Sequence, residues 1–236
     1  MNNVEKINKL KELIANSKRL VILTGAGVST HSGISDYRSK NGLYASNPET
    51  LLSRNYYNEC YDAHCKFVRD NFDFTDKEPN DIHKWIANLQ NENRDVIVIT
   101  QNVDDLHEKA GSKNVIHYHG DLKKFTCKDC KKEYDFKYFK HNNYCDCGGK
   151  LESSVVLYGD GISEENESKA KNATLKADCM LVIGTSLAVY PFALLIEDSY
   201  FVGFPLALIN KTEPVNYQHS FDVKIIDDAI NVIKEL

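Results

Sequence analysis

The chain has 236 residues, above the common single-domain size of roughly 100–150 and short of two full domains, so one core carrying insertions is expected. With 42% hydrophobic and 27% charged residues, a mean hydropathy of −0.44 and five prolines, it is neither membrane-embedded nor compositionally disordered. Its 29 basic and 34 acidic side chains leave a net charge of −5, which offers no positive field for wrapping nucleic acid.

The first ten residues, Met-Asn-Asn-Val-Glu-Lys-Ile-Asn-Lys-Leu, are too polar and acidic for a secretory signal or an Arg-rich transit peptide, so a cytoplasmic location is expected. Ile7, Leu10, Leu13 and Ile14 recur at helical spacing, and the apolar run Arg19 to Thr24 then reads as a buried strand ending at Gly25. The same strand grammar returns at Val96 to Thr100, Cys179 to Gly184 and Leu206 to Asn210. Continuous apolar strands of this kind fit a parallel sheet covered on both faces. Residues from about 45 to 90 are rich in Tyr, Asn, Asp and Phe, and those from about 121 to 152 are rich in Lys and Cys; both read as insertions. An amphipathic helix from Asp227 to Leu236, with Ile230, Ile233 and Leu236 on one side, closes the chain. No apolar run reaches the roughly 20 residues needed to span a bilayer, so no membrane partner is expected. The expected fold is α/β: a Rossmann-like doubly wound parallel sheet over about 1–44, 91–120 and 153–236, with a smaller inserted lobe over about 45–90 (helical) and 121–152.

In such sheets ligands bind beyond the carboxyl ends of the strands, and every chemically suggestive segment here follows a strand end. The loop Gly25-Ala26-Gly27 would let a backbone approach a pyrophosphate closely. Thr30, however, stands where the third glycine of the ordinary dinucleotide fingerprint belongs, and no acidic residue closes a second strand about 20 residues later. A dehydrogenase and a ligand-free tight turn are both weaker readings. Of the seven cysteines, Cys127, Cys130, Cys145 and Cys147 form two short knuckles, with Gly148-Gly149 after the second. Four thiolates so arranged suit tetrahedral structural zinc in a reducing compartment; a redox dithiol or unliganded thiols are the alternatives. Cys60, Cys65 and Cys179 read as small core residues.

The remaining polar clusters are Ser35-Asp36-Tyr37-Arg38, Thr100-Gln-Asn-Val-Asp-Asp-Leu-His107, Tyr118-His119-Gly120 and Gly184-Thr-Ser-Leu187. With the glycine loop and the cysteines, in this order and spacing, they resemble the sirtuin family of NAD-dependent protein deacylases. Gly25 to Arg38 resembles the family's first signature, Thr100 to Asp104 its second, and His119-Gly120 its catalytic histidine motif. Val155 to Asp160 resembles the segment that staples the substrate, and Gly184 to Pro191 the last large signature. The resemblance runs from residue 18 to 226.

The resemblance implies that NAD is consumed as co-substrate, that zinc is structural, and that an acyl-lysine protein or peptide is the partner. His119 would take a proton from a ribose hydroxyl so that this oxygen attacks the activated acyl group, a task suited to an imidazole. Asn102 and Asp104 would orient the nicotinamide ribose and carboxamide, with Gln101 and Val103 beside them. Gly25, Ala26, Gly27 and Thr30 would line the pyrophosphate pocket, Arg38 would face the phosphates, and Asp36 and Tyr37 would complete the loop. Gly184, Thr185 and Ser186 would meet phosphate or ribose, Asn210 the adenosine ribose and Ile226 the adenine. Val156, Tyr158, Gly159 and Asp160, with Val189 and Tyr190, would line the substrate groove. A monomer is expected.

Several residues depart from the family pattern. Tyr37 stands for the usual phenylalanine, Ser35 for proline and Asp160 for the staple glutamate, and the second knuckle is one residue short. Family members that prefer succinyl- or malonyl-lysine resemble one another in a Tyr-x-x-Arg pair on a small-lobe helix; Cys65 and Val68 align there, with Arg69 adjacent. Neutral acyl groups are therefore the expected substrates. Protein ADP-ribosyl transfer and NAD hydrolysis on the same fold are the competing activities; transferase relatives depart at the catalytic histidine, and this chain does not. His83 reads as a structural hydrogen-bonding residue, and His117 as facing away from His119; His31, His64, His141 and His219 carry no signal.

Overall fold

The computed structural model describes residues 2–36, 48–92, 95–217 and 221–236. Its strands are β1 (Arg19–Thr24), β2 (Asp95–Thr100), β3 (Val115–His117), β4 (Lys124–Cys127), β5 (Glu133–Asp135), β6 (Leu151–Ser153), β7 (Cys179–Ile183), β8 (Leu206–Asn210) and β9 (Val223–Ile226). Six of them form a parallel sheet in the order β3-β2-β1-β7-β8-β9. The alternation of side chains along a strand divides the apolar residues between two cores. Ile22, Val98, Leu181 and Ile183 enter one core. Val21, Leu23, Met180, Val182 and Leu208 enter the other. Starting from β1 the chain adds strands on one side as far as β3, and β7 to β9 extend the other side. The reversal lies between β1 and β7, where a doubly wound sheet opens a crevice at its carboxyl edge.

Local chemistry sets the helices. Helix Asn3–Asn16 starts in a reciprocal cap between Asn2 and Glu5 and buries Ile7, Leu10 and Ile14. Helix Asp81–Asn91 starts at Asn80, whose side chain accepts from the Ile82 N–H while the His83 ring answers the Asn80 N–H. The sequence boundary at residue 90 placed this helix in the small lobe. It belongs to the large one, because Ile82, Ile86 and Leu89 pack in the core that contains Ile22 and Val98.

The small lobe combines helices Arg54–Glu59 and Tyr61–Phe72 with a three-stranded antiparallel sheet in the order β5-β4-β6. Phe125 and Phe139 stack at 4.0 Å within its own core, beside Tyr57, Tyr61 and Leu151. The Tyr61 hydroxyl donates to the Asn143 carbonyl and accepts from the Leu151 N–H at 2.8 Å, joining the two insertions. Cys65 and Cys179 are buried as expected; Cys60 is not, because it forms the exposed junction between the two helices. Among the described residues no helix is long and apolar enough to cross a membrane.

His83 and His107 are buried edge to face at 4.9 Å beneath the carboxyl edge of the sheet. Burial lowers their imidazoles to about 4 and about 3. Both are neutral when folded and protonate once unfolded below about pH 6.5, so the unfolded state takes up more protons on acidification. Stability should therefore fall by roughly 2–3 kcal/mol per pH unit between about pH 6 and 4. Thermal melts across that range should show a steep, reversible loss of Tm, and a flat profile would contradict it.

Candidate active site

A cavity of about 910 Å³ opens where β1, β2, β7 and β8 end and runs on between the large and small lobes. One half of its wall is polar and consists of strand-end loops: Ala26, Gly27 and Thr30 after β1, Gln101 and Asn102 after β2, Thr185 and Ser186 after β7, and Asn210 closing β8. The loops after β1 and β7 touch. The Gly27 N–H donates to the Gly184 carbonyl at 2.8 Å, and a Cβ on Gly27 would stand 2.7 Å from that oxygen. Gly184, at φ +64°, would bring its own Cβ within 2.6 Å of the Val28 nitrogen, so neither position accepts a side chain. The Gln101 amide donates to the Thr185 hydroxyl at 2.8 Å and ties the β2 loop to the β7 loop.

Behind this wall lies a buried network. The Ser29 hydroxyl donates to Asp104 at 2.9 Å, and the Asn102 amide nitrogen donates to the Ser29 oxygen (3.1 Å) and to the Gly25 carbonyl (3.2 Å). The amide nitrogen of Asn102 is thereby committed to the loop after β1. Burial raises the Asp104 carboxyl; the Ser29 hydroxyl and the Leu106 N–H only partly offset this. His117, at the end of β3, has one ring nitrogen 3.2 Å from the Asn102 carbonyl and the other 2.7 Å from Glu108. Burial alone would lower this imidazole, but the Glu108 carboxylate and the Asn102 carbonyl, both acceptors, raise it. His117 thus fixes the main chain of Asn102.

His119 lines the cavity beside Tyr118 (ring centroids 5.5 Å) and Phe192 (6.2 Å). Burial lowers its imidazole, and the facing Gln101 carbonyl offsets part of the shift, so the ring is neutral near pH 7. Gly120 follows at φ +75°, where a Cβ would meet the Ser154 carbonyl at 2.0 Å. That close crossing lets the Val156 N–H donate to the His119 carbonyl at 2.9 Å.

The other half of the wall is largely apolar and comes from the small lobe: Leu52, Val68, Phe72, Leu122, Val155 and Leu157, with His64 among them. The segment 155–160 is held at both ends. His119 binds Val156, and the Tyr158 N–H donates to the Leu52 carbonyl while the Arg54 N–H donates to the Tyr158 carbonyl, each at 2.9 Å. The Arg54 guanidinium grips both carboxylate oxygens of Asp160 at 2.8 Å and also reaches Glu152. This fork holds the Asp160 carboxyl below the usual range despite partial burial.

The sulfurs of Cys127, Cys130, Cys145 and Cys147 all lie within 4.8 Å of one another, with Cys127 and Cys147 3.5 Å apart and Cys130 and Cys145 3.4 Å apart. Four zinc–sulfur bonds of about 2.3 Å require sulfurs a little under 4 Å apart, so the cluster fits tetrahedral structural zinc. The short second knuckle closes through Gly148 and Gly149, where a Cβ on Gly149 would stand 2.5 Å from the Cys127 sulfur. The cluster does not line the cavity.

Residues 25–191 match the family model described as the Sir2 family. The chain belongs to the Sir2 family. It is 41% identical to an NAD-dependent protein deacetylase of Listeria monocytogenes, with 98% of this chain and 100% of the relative covered. It is 39% identical to one of Staphylococcus epidermidis, with 98% and 96% covered. A solved structure of Sir2 with a p53 peptide and NAD+ superposes with a TM-score of 0.86 at 28% identity, covering 97% of this chain and 95% of the other.

Against this Sir2 framework the sequence-derived residues divide clearly. Ala26, Gly27, Thr30, Asp36, Gln101, Asn102, Val103, His119, Gly184, Thr185, Ser186 and Asn210 line one cavity together with Val156, Tyr158, Gly159, Asp160, Val189 and Tyr190. Gly25 and Asp104 lie behind its wall, where they support Asn102. Ile226 is no part of the wall; it is partly exposed at the end of β9, and Asp228 and Ala229 take that place. Tyr37 and Arg38 lie outside the described residues. Sequence reasoning missed Ser29, which stands inside the first signature, as well as His117, Arg54 and His64. Of the aligned pair Cys65 and Val68, Val68 lines the cavity and Cys65 does not; the helix turns His64 and Phe72 to the same wall.

Arg54 is partly exposed, so its ion pairs contribute only about 1 kcal/mol to stability, but they fix the segment expected to meet the substrate. Arg54→Met should raise the peptide KM about three- to tenfold with a smaller change in kcat, and Arg54→Lys should recover part of the loss. An unchanged peptide KM in steady-state assays would refute this role.

Proposed function

We propose that this chain is an NAD-dependent protein-lysine deacetylase that moves neutral acyl groups from lysine to ADP-ribose and releases nicotinamide. The observation carrying the proposal is that Asn102 and a neutral His119 line one cavity whose wall is polar at the strand ends and apolar on the small lobe. The donor set fits NAD. Thr30, Thr185, Ser186 and Gln101 offer hydroxyls and an amide along the edge of the sheet, where glycine turns leave room for a pyrophosphate, and Asn210 and Asp228 stand at the far end. The apolar half suits an acyl chain, and the stapled segment Val155 to Asp160 offers a main-chain edge to a peptide.

In this reading the substrate's acyl oxygen bonds to the ribose carbon as nicotinamide leaves. Asn102, its amide nitrogen anchored by Ser29 and Gly25, orients the reacting ribose, and burial excludes competing water. His119 takes the proton of a ribose hydroxyl, that oxygen attacks the acyl carbon, and lysine departs as the free amine; one water then adds to the acyl carbon and its bond to the first ribose oxygen breaks, leaving the acyl group on the attacking oxygen. Mass spectrometry of an acetyl-lysine peptide should show a loss of one acetyl group only with NAD present, with acyl-ADP-ribose as co-product. His119→Ala should lower this rate at least about a hundredfold while leaving the melting temperature within a few degrees. ADP-ribosylated peptide, or NAD consumption without deacetylation, would support the transferase or hydrolase reading.

The neutral-acyl preference rests on the same wall. Arg69, the cation next to the aligned pair, donates to Asn143 at 2.5 Å and lies 5.4 Å from the Phe139 ring, on the zinc side of the helix. The wall facing the cavity carries Val68 instead. Among the described residues of this wall there is no cation to repay the desolvation of a carboxylate. Turnover of a succinyl-lysine peptide should fall at least about tenfold below that of the acetyl peptide; equal or faster turnover overturns the preference.

A further inference from the structure

The small-lobe wall contains one polar side chain, His64, that neither the catalytic groups nor the staple uses. It sits on helix Tyr61–Phe72 one turn before Val68, is 6% exposed, and belongs to the same cavity wall as Leu52 and Phe72. Its Nδ1 lies 3.0 Å from the Leu51 carbonyl. A carbonyl only accepts, so Nδ1 carries the hydrogen. Burial keeps the ring neutral by lowering its imidazole, against a smaller opposing effect of the same carbonyl. The other nitrogen, Nε2, is then a bare acceptor.

Among the described residues no donor is directed at Nε2. The nearby cation, Arg54, is committed to Asp160 and Glu152. The ring of Tyr57 meets His64 edge to face at 5.4 Å, but no hydrogen bond between them forms and the Tyr57 hydroxyl has no partner among the described residues. A plain alkyl chain in this half of the cavity would leave the acceptor unsatisfied, whereas a chain bearing a hydroxyl would satisfy it.

We propose that His64 is a specificity-determining residue that selects hydroxylated short-chain acyl groups, its Nε2 accepting the acyl hydroxyl, so that the acyl-lysine substrates of this chain include 2- or 3-hydroxyacyl lysines. The inference rests on the deacylase reading and names the acyl class of that same site. It changes no bond in the reaction: the hydroxyl is bound and is transferred intact with the acyl group.

The test compares one peptide carrying propionyl, lactyl, butyryl or 3-hydroxybutyryl lysine, two pairs that each differ by a single hydroxyl. For the wild-type protein, kcat/KM should favour the hydroxylated member of at least one pair by about tenfold. In His64→Leu, which has the bulk but no acceptor, that ratio should fall to about one; a role in packing alone would lower both members equally and leave the ratio unchanged. A second measurement does not depend on the variant's folding. The methyl ether of the favoured group keeps the oxygen but has nothing to donate, and the wild type should turn it over no faster than the deoxy chain. A ratio near one in both pairs for the wild type, an unchanged ratio in folded His64→Leu, or an ether as good as the alcohol overturns the assignment of His64. Failure to turn over any acyl peptide, acetyl included, would instead overturn the deacylase reading.

Discussion

The contact on which this architecture depends is the crossing of two glycine turns at the edge of the sheet. The loops after β1 and β7 diverge there because the strand order reverses between them, and they stay in contact because Gly27 donates to the Gly184 carbonyl at 2.8 Å. With either loop moved outward to admit a Cβ, Ala26 and Thr30 on one side and Thr185 and Ser186 on the other would no longer face a common space. Gln101 repeats the tie one strand over through the Thr185 hydroxyl. The polar half of the cavity is thus a property of backbone spacing, and its side chains act only after that spacing is set.

From this edge the constraint passes inward through Ser29. Its hydroxyl stands between the buried Asp104 carboxyl and the Asn102 amide, and His83 and His107 pack beneath as neutral rings. Neutrality matters: a protonated pair 4.9 Å apart would repel, and burial disfavours the charged form of both rings more than the neighbouring Glu108 carboxylate favours it at His107. His117 is the opposite case, held toward its charged form by Glu108, which is itself held to about 2 by His117 and Lys123 despite burial. Burial keeps His119, His83 and His107 toward their neutral forms, while Glu108 draws His117 toward its charged one. Environment alone separates four chemically identical side chains.

What the sequence made legible follows the range of the interaction. The parallel strands, the glycine loop and the zinc knuckles are written in runs of a few residues, and they emerge where the alternation, the turn chemistry and the Cys spacing put them. Helix Asp81–Asn91 was assigned to the wrong lobe because its pattern, Ile82, Ile86 and Leu89, states that one face is buried but not against what. The Arg54–Asp160 fork joins positions 106 apart, and no local pattern announces it. In the sequence Asp160 reads as a shorter stand-in for the family's glutamate; only the fold shows that a guanidinium takes up its carboxylate. His64 carries no signal in the sequence because neighbouring residues on a helix point about 100° apart, so an alignment that turns Cys65 to the cavity turns His64 away from it. Ile226 fails for the analogous reason at the end of β9, where the wall is completed after the strand by Asp228 and Ala229.

The two halves of the cavity are joined by few contacts, and these explain how a zinc cluster outside the cavity can matter to chemistry within it. Tyr61 accepts from the Leu151 N–H, Glu152 follows on β6 and binds Arg54, and Arg54 binds Asp160, whose segment begins with Val156 bonded to His119. Each link alone is modest, since a partly exposed ion pair is worth about 1 kcal/mol or less. Their effect is in series: the sheet that carries Cys127 also carries the partner of Leu151 and Glu152, so losing the thiolate cluster would free β4 and β6 together. The segment 155–160 would then keep its bond to His119 and lose those to Leu52 and Arg54. The small lobe therefore sets the position of the far end of this segment, whereas the neutral state of His119 is set by burial beside Tyr118 and Phe192 in the large lobe.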